Sequence, residues 1–220
     1  MAFFIDDVLD THMLDTIVEA LQDERLFEDG ASTAGGAARA VKNNEQARPT
    51  EDIVRGATKL LKKALLKNSD FKATALPKEI IRLSFSRYIK GMQYGAHVDD
   101  AFIGGLRTDL SFTLFLSEPD SYGGGELVIQ RYDGDEKIKL PKGSLYLYPS
   151  DTLHRVAPVE FGTRLAAVGW VHSRVRADEQ RTVLFDLDRA LRKLPRNTET
   201  HETRLILLRS RNSLLRMWAD

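Results

Sequence analysis

Apolar positions along this chain change their period several times, and each change marks an element. Over residues 11 to 24, Leu14, Ile17, Val18 and Leu21 recur at helical spacing and predict an amphipathic helix. From Glu28 to Pro49 the chain turns to glycine, alanine and polar residues with no sustained period, which predicts a surface loop. A second helix is predicted over about 51 to 67, with Ile53, Ala57, Leu60, Leu61, Ala64 and Leu65 on one stripe and Lys59, Lys62, Lys63 and Lys67 on a solvated face. Pro77 punctuates the chain. Short apolar runs separated by turn signals then fill residues 80 to 172, the pattern of a β-sandwich or barrel. Two more helices follow, at about 178 to 194 and 200 to 218, with Pro195 and Asn197 at the break. The predicted class is mainly β with flanking helices. Its divisions are an N-terminal helix-and-loop segment (1–76), a β-core (77–176) and a helical C-terminal segment (177–220).

Composition narrows what such a domain does. With 32 basic and 32 acidic residues the formal net charge is zero, which argues against general nucleic-acid binding, because that affinity rests on cationic excess. Cysteine is absent, so disulfides and thiolate metal sites are excluded. No basic-then-apolar leader is visible and no apolar run reaches the length of a membrane span, so a cytoplasmic protein is expected.

The candidate chemistry lies between Tyr94 and Arg164. His97 and Asp99 are two residues apart, so on extended backbone both point to one side while Val98 points to the other. His154 follows a strand-like run, Ser144 to Tyr148, and supplies a third donor. Two imidazoles and one carboxylate make the facial set that leaves open positions on non-haem Fe(II) in oxygenases. Ten residues past His154, Arg164 opens an apolar strand that runs to Val171. A cation there needs an anion, and its planar fork suits a carboxylate, either a structural acidic side chain or a cosubstrate. His172 shares a face with Arg164 when counted by twos and is the rival third ligand.

Further residues carry a family resemblance. They include Asp29-Gly30, Thr33-Ala34-Gly35, Val41-Lys42-Asn43-Asn44, Arg87-Tyr88, Gly91 and Arg107-Thr108-Asp109-Leu110-Ser111. Thr113 to Ser117, Gly124-Gly125-Glu126-Leu127, Tyr148-Pro149-Ser150, Leu153-His154-Arg155-Val156 and Leu184 to Asp188 continue it. In this order the chain resembles the PKHD-type hydroxylases, a branch of the Fe(II)/2-oxoglutarate dioxygenases related to prolyl and lysyl hydroxylases. The resemblance implies a double-stranded β-helix (jelly-roll) core, with His97, Asp99 and His154 as iron ligands and Arg164 as anchor of the 2-oxoglutarate distal carboxylate. Tyr88 would assist Arg164. Tyr94, His172 and Asn44 are further pocket candidates, and at His172 similar sequences more often carry glutamine. The 28–49 stretch becomes a candidate lid, with Lys42, Asn43 and Asn44 as its residues of interest. The implied reaction consumes O2 and 2-oxoglutarate, releases succinate and CO2, and hydroxylates an unactivated carbon, with L-ascorbate as reductant.

Rival readings are a non-catalytic metal-binding barrel or scaffold and a nucleobase demethylase. The latter family carries a second arginine six residues after the first, where this chain has Trp170. The relatives suggest a prolyl or lysyl side chain of a protein or peptide as substrate, while a small molecule fits the same site. The C-terminal apolar stripes would pack on the barrel or form a homodimer.

Overall fold

The structure is a computed structural model that describes residues 2–33 and 35–220; Ala34, within the Thr33-Ala34-Gly35 motif, lies outside the described residues. Two antiparallel sheets carry the fold. The larger runs Phe3–Ile5, Leu145–Pro149, Leu110–Phe115, Arg164–Ser173, Pro77–Tyr88, Glu45–Ala47 and Phe27–Asp29 in hydrogen-bonded order. The smaller runs Gly134–Ile138, Leu127–Arg131, His154–Val156, Gln93–His97 and Lys42–Asn43. This is the mainly β architecture with flanking helices that the sequence predicts.

Alternation along the larger sheet explains how one set of strands serves both a core and a cavity. Leu110, Phe112 and Leu114 join one apolar cluster with Leu145, Leu147, Leu165, Ala167 and Val171. Helical residues Leu14, Ile17, Val54, Leu61, Leu65 and Phe71 complete that cluster. The intervening residues Ser111, Thr113, Tyr148, Arg164 and Val168 face the other way, into the space between the sheets. Helices thus cover one face of the larger sheet and the smaller sheet covers part of the other.

The helices form for local reasons. Asp10 caps Thr11–Ala20 by accepting from the Met13 backbone N–H at 2.8 Å, and Leu14 and Ile17 turn inward. In Asp52–Lys67 the buried stripe is Val54, Ala57, Leu61, Ala64 and Leu65, while Ile53 is exposed. The predicted stripe was thus rotated by one position at its start, where a first-turn residue points away from the sheet. A short helix absent from the sequence reading, Ser69–Ala75, is capped by Asn68 and ends at Leu76 in the left-handed region before Pro77. It drives Phe71 edge-on into Phe112, with ring centroids 5.9 Å apart. The C-terminal helices are Asp178–Lys193 and His201–Trp218. No helix among the described residues is long and apolar enough to cross a membrane.

The stretch from 28 to 49 departs from expectation. Instead of a loop it supplies strands to both sheets, with Lys42 and Asn43 pairing to Tyr94 and Gln93 and Glu45 and Gln46 pairing to Arg87 and Ser86. Each strand is only two or three residues long, too short for a period to register in the sequence.

Candidate active site

His97 and His154 meet because they are direct cross-strand partners in the smaller sheet. Asp99 lies two residues past His97, and the three side chains bring one donor atom each to within 4.8 Å of one another. Each imidazole is oriented by its own backbone: Nδ1 of His97 lies 2.8 Å from the Gly95 carbonyl, and Nδ1 of His154 lies 2.9 Å from that of Thr152. If Nδ1 carries the proton and donates it, each Nε2 is left as a lone-pair donor to a metal. Asp99 is divided similarly. Its Oδ2 accepts from the Ser111 hydroxyl at 2.5 Å, and Ser111 is itself 2.9 Å from the Ser150 hydroxyl. Oδ1 stays on the histidine side, 3.9 Å from His97 Nε2.

Aromatic rings fix the imidazole planes. Tyr94 stacks on His97 with centroids 3.7 Å apart, and Tyr148 meets His154 edge-on at 5.1 Å. Burial lowers the His97 pKa to about 4, and the neighbouring His154 adds to the effect. His97 is therefore a neutral imidazole at neutral pH, the form a metal requires.

Arg164 is the largest fully buried side chain, 1% exposed. It pairs across the strands with Tyr88, its guanidinium 5.1 Å from that ring's centroid and 5.6 Å from that of Phe115. Gly125 makes room for it: a Cβ there would sit 3.1 Å from Arg164 Cδ, at a backbone φ of +65°. Arg164 Nε and the Tyr122 hydroxyl are buried with no hydrogen-bond partner among the described residues. Buried unpaired donors beside a full positive charge are costly, so the pocket is made for an anion to complete it. A carboxylate is the anion that suits the planar guanidinium. The residues present therefore fit 2-oxoglutarate at Arg164 and a divalent metal at the triad.

Both features line one cavity of about 250 Å³ between the sheets. It also takes in Tyr94 and Asn44, whose carboxamide is buried with neither atom hydrogen-bonded among the described residues. His172 is not among the cavity residues; its Nδ1 is 3.1 Å from the Arg107 carbonyl and 3.6 Å from Asp109 Oδ2. His172 keeps the alternation of Arg164 and Trp170 but lies two residues beyond Trp170, past the end of the cavity lining on this strand, where Arg107 and Asp109 take up its ring. Reasoning from sequence assigned no role to Ser111, Ser150, Tyr148 or the Trp170 indole. Ser111 had one available signal, a polar residue alternating with Leu110 and Phe112 in an otherwise apolar strand.

Comparison with known proteins agrees with this geometry. Residues 83–172 match the 2OG-Fe(II) oxygenase superfamily, and residues 178–220 match the PKHD-type hydroxylase C-terminal domain. A PKHD-type hydroxylase of Parvibaculum lavamentivorans is 50% identical over 211 residues, covering 96% of this chain and 94% of that one. One from Crocosphaera subtropica is 44% identical over the full length of both. Among solved structures, a Pseudomonas putida prolyl-4-hydroxylase aligns over 79% of this chain and 92% of its own, with a TM-score of 0.55 and 19% identity. A Trichoplax adhaerens prolyl hydroxylase in complex with a hypoxia inducible factor peptide fragment aligns over 83% and 86%, with a TM-score of 0.61 and 17% identity. These distant structures carry the fold, the jelly-roll core that the sequence led one to expect. Full-length identity to curated relatives, resting on the His-Asp-His cluster and its cavity, places this chain in the PKHD-type hydroxylase family of 2-oxoglutarate- and Fe(II)-dependent oxygenases.

Proposed function

We propose that His97, Asp99 and His154 hold the Fe(II), that Arg164 with Tyr88 fixes the distal carboxylate of 2-oxoglutarate, and that the enzyme hydroxylates a prolyl residue of a peptide or protein. The single observation that carries this reading is one cavity shared by a three-donor cluster and a buried arginine whose Nε lacks a partner. When bound, the iron and 2-oxoglutarate supply oxidative decarboxylation coupled to hydroxylation of an unactivated carbon. The protein's part is orientation and exclusion of water. The two backbone carbonyls aim the imidazoles, the Ser111 hydroxyl aims Asp99, and the Tyr88 and Phe115 rings pack against the guanidinium.

A prolyl substrate is supported by the solved neighbours, two of which are prolyl hydroxylases. Ascorbate as reductant follows from the family, and a cytoplasmic location fits the cysteine-free composition. A homodimer is supported by the last helix, which exposes Leu205, Ile206, Leu208 and Met217.

The test is an anaerobic titration of the Fe(II)-loaded protein with 2-oxoglutarate, followed by the visible charge-transfer band. The band should form in the wild type and fail at the same concentration in Arg164→Ala. Aerobic incubation with proline-containing peptides should then release succinate above the peptide-free rate. No band in protein shown to retain iron would overturn the assignment of the site.

A further inference from the structure

The cavity has a second cationic end. Tyr88 and Arg164 pair at one end of two adjacent strands, and Arg82 and Trp170 pair six residues further along. At about 3.3 Å per residue that separation is about 20 Å. All four side chains line the same cavity. Arg82 makes no side-chain ion pair or hydrogen bond among the described residues. Lys42 joins it from the smaller sheet. The Lys42 ammonium donates to Thr33 Oγ1 at 2.8 Å, lies 5.2 Å from the Tyr94 ring centroid, and meets no carboxylate at ion-pair distance among the described residues.

These two cations feel one another. Burial first, and then the Arg82 charge, lower the Lys42 pKa to about 8, while Asp29 and Asp99 act on it only from a distance. Beside them the Trp170 indole Nε1 is a buried donor with no partner among the described residues. Lys42 and Trp170 are half-buried and Arg82 is exposed at the rim, so two like charges and an unpaired N–H facing one cavity from both sheets make a local field that attracts an anion. The remaining acid of the cavity, Asp100, is exposed.

We propose that Lys42, Arg82 and Trp170 form a substrate subsite that binds a carboxylate, separate from the 2-oxoglutarate anchor at Arg164. This rests on the proposed function above and adds the substrate class: the hydroxylated carbon belongs to a molecule carrying a carboxylate close by. Lys42 sets the distance, because the Tyr94 ring beneath its ammonium is the ring that stacks on His97. The carboxylate has two sources, the main-chain carboxylate of a terminal or free residue and the side chain of an acidic residue beside the target.

Matched pairs separate these sources and test the subsite. Protein loaded with Fe(II) and 2-oxoglutarate is titrated anaerobically in a calorimeter with N-acetyl-proline against N-acetyl-prolinamide. N-acetyl-Pro-Asp-amide is likewise compared with N-acetyl-Pro-Asn-amide. At least one acid should bind tenfold or more tightly than its neutral twin, and the responding pair names the source. In Lys42→Gln/Arg82→Gln that lead should fall below twofold while the 2-oxoglutarate band persists, and Lys42→Arg should keep the lead. Equal binding of the twins, no binding of either acid, or a lead surviving the double substitution would overturn the subsite. So would loss of the band in the double variant, since the cations would then serve the cosubstrate. Absence of the band in the wild type would instead strike at the proposed function.

Discussion

Replacing Ser111 by alanine removes one hydroxyl and leaves all three candidate metal ligands in place. That hydroxyl is buried, donates to Asp99 Oδ2 at 2.5 Å, and has the Ser150 hydroxyl behind it at 2.9 Å. A hydrogen bond to a charged carboxylate is worth about 1.5–3 kcal/mol. Here it is spent on holding Oδ1 toward the imidazoles, where it lies 3.9 Å from His97 Nε2. Without it the carboxylate can rotate, and both oxygens compete for the same neighbours. Groups that orient a metal ligand in this way contribute roughly 10–100-fold in metal affinity, about 1.4–2.8 kcal/mol, which matches the worth of the bond. Ser111→Ala should therefore bind Co(II) or Fe(II) about 10–100-fold more weakly in anaerobic competition against a chromophoric chelator. Ser150→Ala, one step further from the carboxylate, should lose only a few-fold. A Ser111→Ala protein with unchanged circular dichroism and metal affinity within twofold of wild type would refute this account of how Asp99 is aimed.

Two further outcomes follow from the same geometry. Gly124→Ala forces a Cβ to 2.1 Å from the Pro158 carbonyl oxygen at a φ of +65°. Left-handed strain and overpacking together should cost roughly 3 kcal/mol, a fall of about 6–12 °C in Tm, and a melting curve within 2 °C of wild type would contradict the contact. In metal-free protein the His97 pKa is about 4, below the ordinary value of about 6.5. The unfolded chain then binds more protons in that window, so stability is full above about pH 6.5 and declines as the pH falls toward about 4. Urea midpoints across that range should drop in the wild type and flatten in His97→Gln; parallel profiles would show that another group governs the acid limb.

Reading the sequence reached the site more readily than the elements around it. The His97–Asp99 spacing and Arg164 were legible because strand alternation and the chemistry of a buried cation are local properties. His154 was reached as a third donor from the strand-like run before it, but that it lies opposite His97 is a property of strand pairing that nothing local in the sequence states. The helix at Ser69–Ala75 escaped because seven residues hold too few periods, and its start depends on a single Asn68 cap. Ser111 and Trp170 reach the cavity from the larger sheet, so their roles depend on how that sheet faces the smaller one. Counting by twos gave the face of His172 but not how far along the strand the cavity extends, which depends on what packs beyond Trp170.

Lys42, Asn44 and Gln46 all line the cavity, at every second position of a run that hems the two sheets together. Because the run is extended, a one-residue slip of its pairing would exchange the whole inward set for its outward neighbours at once. Recognition along this wall is thus set by a single phase. A slip of register would alter it in one step, whereas changes of side chain would alter it one contact at a time.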